Sequence, residues 1–354
     1  MFFSFCSFII GDNQMKQRVE DLDWKNLGFK YRDLPYRYEA KYKDGEWQEG
    51  KLTEDSSMTF SEGAEVLHYG QEVFEGLKAY RRKDGKINLF RPDQNAHRFT
   101  LSAKRLAMPP FPEDRFVDAV KQVVKANEEF VPPYDSGATL YLRPLMVGTT
   151  KVLGVEAASE YTFRIFAVPV GAYIKGLNPA DYVVSEYDRA AYAGTGQAKT
   201  AGNYASSLLP TVEAHKNGFA DSLYLDPREH KYIDEFGGAN FYGITQEGQF
   251  VTPKSQSILV SITKRSLLEV AKWQGLNPVE RQITLEEAFN MKEAGAMGTA
   301  AVISPVGSIT YEGKKHVIYS ETETGPVTKK LYNELVDIQY GNKKGPEGWV
   351  QTLD

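Results

Sequence analysis

A single cysteine, Cys6, is all the thiol that this chain of 354 residues carries. That excludes an intramolecular disulfide and any multi-cysteine metal site, and it makes a reducing cytoplasm the natural compartment. The five histidines, at 68, 97, 215, 230 and 316, nowhere fall at H-x-x-x-H spacing, so none is read as a metal ligand. An excess of one charge is lacking too. The 42 basic and 47 acidic residues give −5 with no long basic block, which argues against nucleic-acid binding by phosphate neutralisation. No apolar run is long enough to cross a bilayer, so no membrane role is expected. The opening stretch MFFSFCSFII has only ten residues, without a basic lead or an A-x-A-like cleavage site. It reads as an upstream start, with Met15 as the initiator. Low-complexity tracts and internal repeats are also missing.

What is present describes a soluble globular protein: 42% hydrophobic, 12% aromatic and 25% charged residues. The length suggests two domains of roughly 150 residues each. YRYEAKY, KINLFRP and TLYLRP alternate as strands do, and TFRIFAVPV reads as a buried strand. In PEDRFVDAVKQVVKANEEF the residues Phe116, Val120, Val123, Val124 and Phe130 fall on one face, predicting an amphipathic helix. The glycine-rich stretch VGAYIKGLNPAD reads as an interdomain connection. Beyond it, YVVSE, SLYLD, NFYGIT, SILV and AAVIS read as strands. Helices are expected near 200–217, 264–274, 284–293 and 326–340, and Thr284 with Glu287 has capping-box spacing. The fold class is therefore α/β or α+β in two domains. Residues 1–24 are expected as a poorly ordered extension, 25–170 as the small N-terminal domain, 171–181 as the linker and 182–354 as the large C-terminal domain.

The chemistry centres on GTGQAKTAGNY, where Lys199 stands among small residues that let backbone or a flat ligand approach closely. A phosphate loop needs glycine directly before the lysine and again six residues before it, but Ala198 and Ala193 stand there. A dinucleotide fingerprint fails because Lys199 replaces its third glycine. The remaining reading is an imine-forming lysine for pyridoxal 5'-phosphate. That cofactor also needs an acid for its pyridine nitrogen and a cradle for its phosphate. Asp234 and Glu235 in YIDEFGGANFYGI are both candidates for the acid, and SITKRSLLEVAKW opens a helix whose first amides could hold phosphate. Spacing does not choose between the two acids.

Taken with those elements, HYGQEVFEGLKAYR, LFRPDQNAHRFTLSAKRL, YLRPLMVGT, GTGQAKTAGNYASSL, IDEFGGANFYGI, MGTAAVISPVG and DIQYG occur in one collinear order. Together they resemble the branched-chain amino acid aminotransferases, fold type IV pyridoxal phosphate enzymes, from about residue 25 onward. The resemblance implies a small N-terminal α/β domain, a larger pseudo-barrel domain, a homodimer and amino transfer between leucine, isoleucine or valine and 2-oxoglutarate. It implies Lys199 as Schiff-base lysine and proton shuttle, and Glu235 as the pyridine partner. Arg98, Ile262, Thr263 and Thr299 are implied around the phosphate, with Tyr204 on the ring hydroxyl. Tyr69, Phe74, Tyr141 and Tyr173 match substrate-wall positions, and Arg143 matches an arginine that can clamp a distal carboxylate. Thr299 and Ala300 are implied at the α-carboxylate, and Val152, Leu153 and Val155 in a loop that reaches the neighbouring subunit. Ala301 and Ser304 replace the C-x-x-C of mammalian members, so thiol regulation is not expected there. The closest rivals within the fold are a D-amino acid aminotransferase, an aminodeoxychorismate lyase or an amine transaminase. A cofactor-binding protein without turnover is the rival from another class.

Overall fold

A computed structural model describes residues 16–171 and 177–353. Met15 and Tyr173, both singled out in the sequence, lie outside the described residues.

The first half builds an open antiparallel sheet from β1 (Arg37–Lys43), β2 (Glu46–Trp47), β3 (Lys51–Thr53), β4 (Glu72–Phe74), β5 (Leu77–Arg81), β6 (Ile87–Phe90), β7 (Thr139–Gly148) and β8 (Tyr161–Val170). Three helices accompany it: α1 (Glu65–Tyr69), α2 (Pro92–Arg105) and α3 (Glu113–Ala126). The apolar stripe of α3 is buried as its periodicity predicts, with Phe116, Val120, Val123 and Val124 at 0% exposure. It packs with Phe99 of α2 and Phe163 of β8 in one core. In β7 the even positions Leu140 and Leu142 are buried in that core, while Tyr141 and Arg143 stand on the opposite face. This alternation is what turns YLRP toward the site.

The second half contributes β9 (Ala180–Val184), β10 (Asp221–Leu225), β11 (Ile233–Phe236), β12 (Asn240–Ile244), β13 (Phe250–Pro253), β14 (Val279–Arg281), β15 (Glu293–Gly298), β16 (Val302–Tyr311) and β17 (Lys314–Val317). Because β11 pairs with both β10 and β12, the ring β9, β10, β11, β12, β15, β16 closes on itself as a barrel. Its helices are α4 (Ala201–Ala205), α5 (Leu208–Lys216), α6 (Ile262–Trp273), α7 (Leu285–Phe289) and α8 (Pro326–Tyr340). A last strand, β18 (Val350–Leu353), returns to the first sheet and pairs antiparallel with β6. A third core joins the two halves, with Tyr80 and Phe90 of the open sheet packed among barrel and α8 residues such as Tyr242 and Leu335.

Several expectations need correction. SILV is not a strand: residues 257–260 are an irregular approach to α6, strapped by Arg189 and Glu235 instead of a ladder. The helix expected over 200–217 breaks in two, and α7 ends at Phe289 because β15 begins at Glu293. Within the supposed disordered extension, the Gln17 amide donates to the Asp33 carbonyl oxygen at 2.8 Å, and Val19 and Leu22 pack on the first core. β9 begins at Ala180, before the expected end of the linker, and the C-terminal strand belongs to the N-terminal sheet. The Thr284 cap forms as expected, its hydroxyl accepting from the Glu287 amide at 3.1 Å.

Candidate active site

Between the open sheet and the barrel lies a cavity of about 400 Å³, lined by side chains from both. That volume suits a small ligand held between two rigid walls.

Lys199 enters it from a segment tied down on every side. Its amide donates to the Ser102 hydroxyl at 2.9 Å, its carbonyl accepts from the Phe74 amide at 3.0 Å, and the neighbouring Thr200 hydroxyl donates to the Glu72 carbonyl at 2.7 Å. The small residues explain themselves here. A Cβ added at Gly196 would lie 2.1 Å from the Ser257 carbonyl oxygen, so only glycine lets the lysine segment and the approach to α6 touch backbone to backbone. The Lys199 ammonium donates to the Tyr204 hydroxyl at 2.7 Å and sits 4.5 Å from the Phe74 ring centroid.

Strand alternation separates the two acids that spacing left open. On β11, Asp234 turns away and accepts from the Ser257 hydroxyl at 2.6 Å, whereas Glu235 lines the cavity. Glu235 is 3% exposed and accepts from the Leu259 amide at 3.1 Å and the Asn240 side-chain amide at 2.8 Å. Burial pushes its carboxyl up to about 7, opposed by the Arg189 guanidinium that ion-pairs with it. Arg189 is buried and also donates to the carbonyls of Gly196 at 3.1 Å and Ser257 at 2.8 Å. One guanidinium thus joins the lysine segment, the acid and the approach to α6.

At another wall, Arg98 of α2 is held by Glu75, which is 0% exposed, through bonds of 2.7 and 2.8 Å. A third bond runs to the Val260 carbonyl at 3.2 Å. An arginine has five N–H donors, so two remain for a ligand. The side chains of Ile262 and Thr263 are buried and do not line the cavity; what they offer are the first amides of α6, which have no intrahelical acceptor. Ser261 caps that helix and does line the cavity.

Phe74, Tyr141 and Arg143 form a wall together, with the Arg143 guanidinium 4.9 Å from the Phe74 ring and 5.4 Å from the Tyr141 ring. Among the described residues no carboxylate lies within ion-pair distance of Arg143. Thr299 and Ala300 also line the cavity, from the turn between β15 and β16, and Ala301 and Ser304 lie beside them. Tyr69 does not line it. Its hydroxyl instead donates to the Leu153 carbonyl, on a loop where Leu153 is 92% and Val155 86% exposed, so Tyr69 travels with Val152, Leu153 and Val155. The sequence reading missed Arg189, Glu75 and Phe29. Phe29 packs edge-on against Tyr141 at 5.1 Å. Glu75 lies inside the quoted HYGQEVFEGLKAYR segment without being singled out there, and Arg189 and Phe29 lie in no quoted segment; each is found only by its neighbours.

Residues 72–309 match the family described as amino-transferase class IV. A "Branched-chain-amino-acid aminotransferase" of Haemophilus influenzae is 54% identical over 95% of this chain and its own full length. Its namesake from Helicobacter pylori is 48% identical over 94% of this chain and 98% of its own. Among solved structures, a branched-chain amino acid aminotransferase from Escherichia coli superposes with a TM-score of 0.72 at 26% identity, covering 89% of this chain and 98% of that one. Another branched-chain amino acid aminotransferase, solved with pyridoxamine 5'-phosphate, superposes with a TM-score of 0.74 at 28% identity and covers 88% of this chain and 97% of its own. The chain belongs to the class IV amino-transferases, among the branched-chain-amino-acid aminotransferases.

Proposed function

We propose that this enzyme moves an amino group reversibly between leucine, isoleucine or valine and 2-oxoglutarate, with pyridoxal 5'-phosphate as cofactor. The observation that carries the reading is one cavity holding the Lys199–Tyr204 pair at 2.7 Å together with the buried Glu235.

The donor set fits the cofactor. Glu235 suits a protonated ring nitrogen. Arg98, with two free donors, and the first amides of α6 suit a phosphate. When bound, pyridoxal phosphate supplies a reactive aldehyde and an electron-accepting ring. Lys199 then serves as nucleophile and afterwards as the base that moves the substrate's α-proton, its Nζ kept in place by the Tyr204 hydroxyl. Phe74 and Tyr141 supply the apolar wall for an aliphatic side chain. Arg143 stands ready for the distal carboxylate of glutamate in the same space. The exposed Leu153 and Val155, with Tyr69 behind them, support a homodimer in which this loop completes the partner's pocket. A cytoplasmic setting agrees with the single cysteine.

The test is an absorption spectrum of the cofactor-loaded protein before and after L-leucine, without oxo acid. Conversion of the cofactor band, restored by 2-oxoglutarate, supports both half-reactions. A band indifferent to L-leucine but responsive to D-alanine overturns the substrate assignment.

A further inference from the structure

Lys78 of the FEGLK segment and Gln339 of the DIQYG segment belong neither to the cofactor set nor to the substrate walls. Lys78 lies on β5 at 7% exposure, and its ammonium donates to the Ala300 carbonyl oxygen at 2.6 Å. Behind it a small cavity of about 60 Å³, between β5 and α8, is lined by Tyr80, Thr139, Gln339 and Tyr340. The Gln339 Oε1 is buried there without a hydrogen-bond partner. Among the described residues no carboxylate lines this cavity. An ammonium buried with a single carbonyl acceptor is costly, and an apolar side chain would fill the place more cheaply.

The carbonyl that Lys78 holds belongs to the turn of residues 299–301, on whose other side Thr299, Ala300 and Ala301 face the active-site cavity. The turn leads into Val302 at φ 66°, an unfavourable value for a β-branched residue, so it needs to be held. A trans peptide is rigid, so gripping its oxygen from behind fixes the direction of its amide in front.

We propose that Lys78 is a positioning residue for the substrate's α-carboxylate: its ammonium grips the Ala300 carbonyl, sets the cavity-facing amides of the turn, and places a buried positive charge behind the carboxylate. This rests on the reading of the 299–301 turn as the carboxylate seat. Burial also lowers the Lys78 ammonium to about 8. The titratable groups facing it are Tyr80 from its own strand and Tyr332 and Tyr340 from α8, and burial raises all three phenols. Lys78 is therefore the group in that space whose charge changes first as pH rises.

The experiment measures, by calorimetry on the cofactor-loaded enzyme, the affinity for 4-methylpentanoate, which is leucine without its amino group. Wild type, Lys78→Met and Lys78→Arg are compared from pH 7 to 9.5. Lys78→Met weakens the acid roughly 10- to 100-fold, the range of one charge-assisted hydrogen bond. It also removes the affinity loss that wild type shows through about pH 8. Lys78→Arg restores binding and moves that loss out of the window. The response of the cofactor spectrum to 3-methylbutylamine, which lacks the carboxylate, stays the same in all three and reports an intact fold. Equal acid binding in wild type and Lys78→Met overturns the proposal, as does parallel weakening of acid and amine. An unchanged loss through pH 8 in Lys78→Arg overturns it even where the methionine variant does not fold. Ala300→Leu separates the premise. If it weakens the acid while Lys78→Met does not, the seat stands and the lysine's role falls; if neither weakens it, the seat itself is wrong.

Discussion

Replacing Arg98 by Met separates two quantities that a single variant would confuse. The Arg98–Glu75 pair is almost fully excluded from water, with a twofold contact at 2.7 and 2.8 Å and Asn95 completing the carboxylate at 2.7 Å. Removing one member leaves the other buried and uncompensated, which costs about 3–5 kcal/mol. Arg98→Met and Glu75→Leu are each expected to destabilise the apoprotein by that amount in urea unfolding followed by fluorescence. The double variant replaces both charges by apolar groups of similar bulk and should regain most of the loss. Cofactor affinity behaves differently. Two free guanidinium donors at about 1.5–3 kcal/mol each amount to roughly 3–6 kcal/mol, or a 10²- to 10⁴-fold weaker dissociation constant. That loss persists in the double variant, because the phosphate partner is still missing. Unchanged pyridoxal phosphate affinity in Arg98→Met would refute the phosphate assignment. A double variant as unstable as the two singles summed would refute the buried-pair argument.

Other outcomes follow from the same geometry. Lys199→Ala should abolish turnover while the protein still binds the cofactor non-covalently, seen by equilibrium dialysis; retained turnover would end the assignment. The Glu235 carboxyl, raised from its ordinary 4.5 to about 7, keeps in the folded state a proton that the unfolded chain has already lost. Apoprotein stability should therefore fall by roughly 3 kcal/mol as pH rises from about 4.5 to 7, and Glu235→Gln should flatten that slope. Gly196→Ala drives a Cβ to 2.1 Å from the Ser257 carbonyl oxygen and should cost about 1–3 kcal/mol in unfolding experiments, loosening the Arg189 contacts with it. Arg143→Met should raise KM for 2-oxoglutarate far more than for L-leucine, and equal changes would remove the carboxylate clamp.

Much of the site was legible because its parts are local. Lys199 among small residues, Tyr204 five positions on and the Ser/Thr-rich start of α6 sit in short continuous stretches with their own physical logic. Glu235 required one more fact, that Asp234 and Glu235 lie in a strand and so face opposite ways. What escaped was long-range. Glu75 lies 23 residues from Arg98, and the Ala300 carbonyl 222 residues from Lys78. No periodicity within either segment reports such a pairing. SILV failed as a strand for a related reason: its apolar content is real, but Ser257 and Leu259 hold Arg189 and Glu235 through backbone groups that a ladder would have consumed. Tyr69 was matched to a substrate-wall position by resemblance alone, and only its bond to Leu153 shows which loop it accompanies.

The strand β18 lies against β6, joining residues 350–353 to 87–90 across about three quarters of the chain. During synthesis, residues 37–170 emerge with an edge strand, β6, that has no partner until residues 350–353 have left the ribosome. Until then that edge is open to pairing with another nascent chain. Weakening the β18–β6 pairing would prolong the exposure, so its first consequence would be loss of yield through aggregation, with catalysis unchanged in the molecules that complete the sheet.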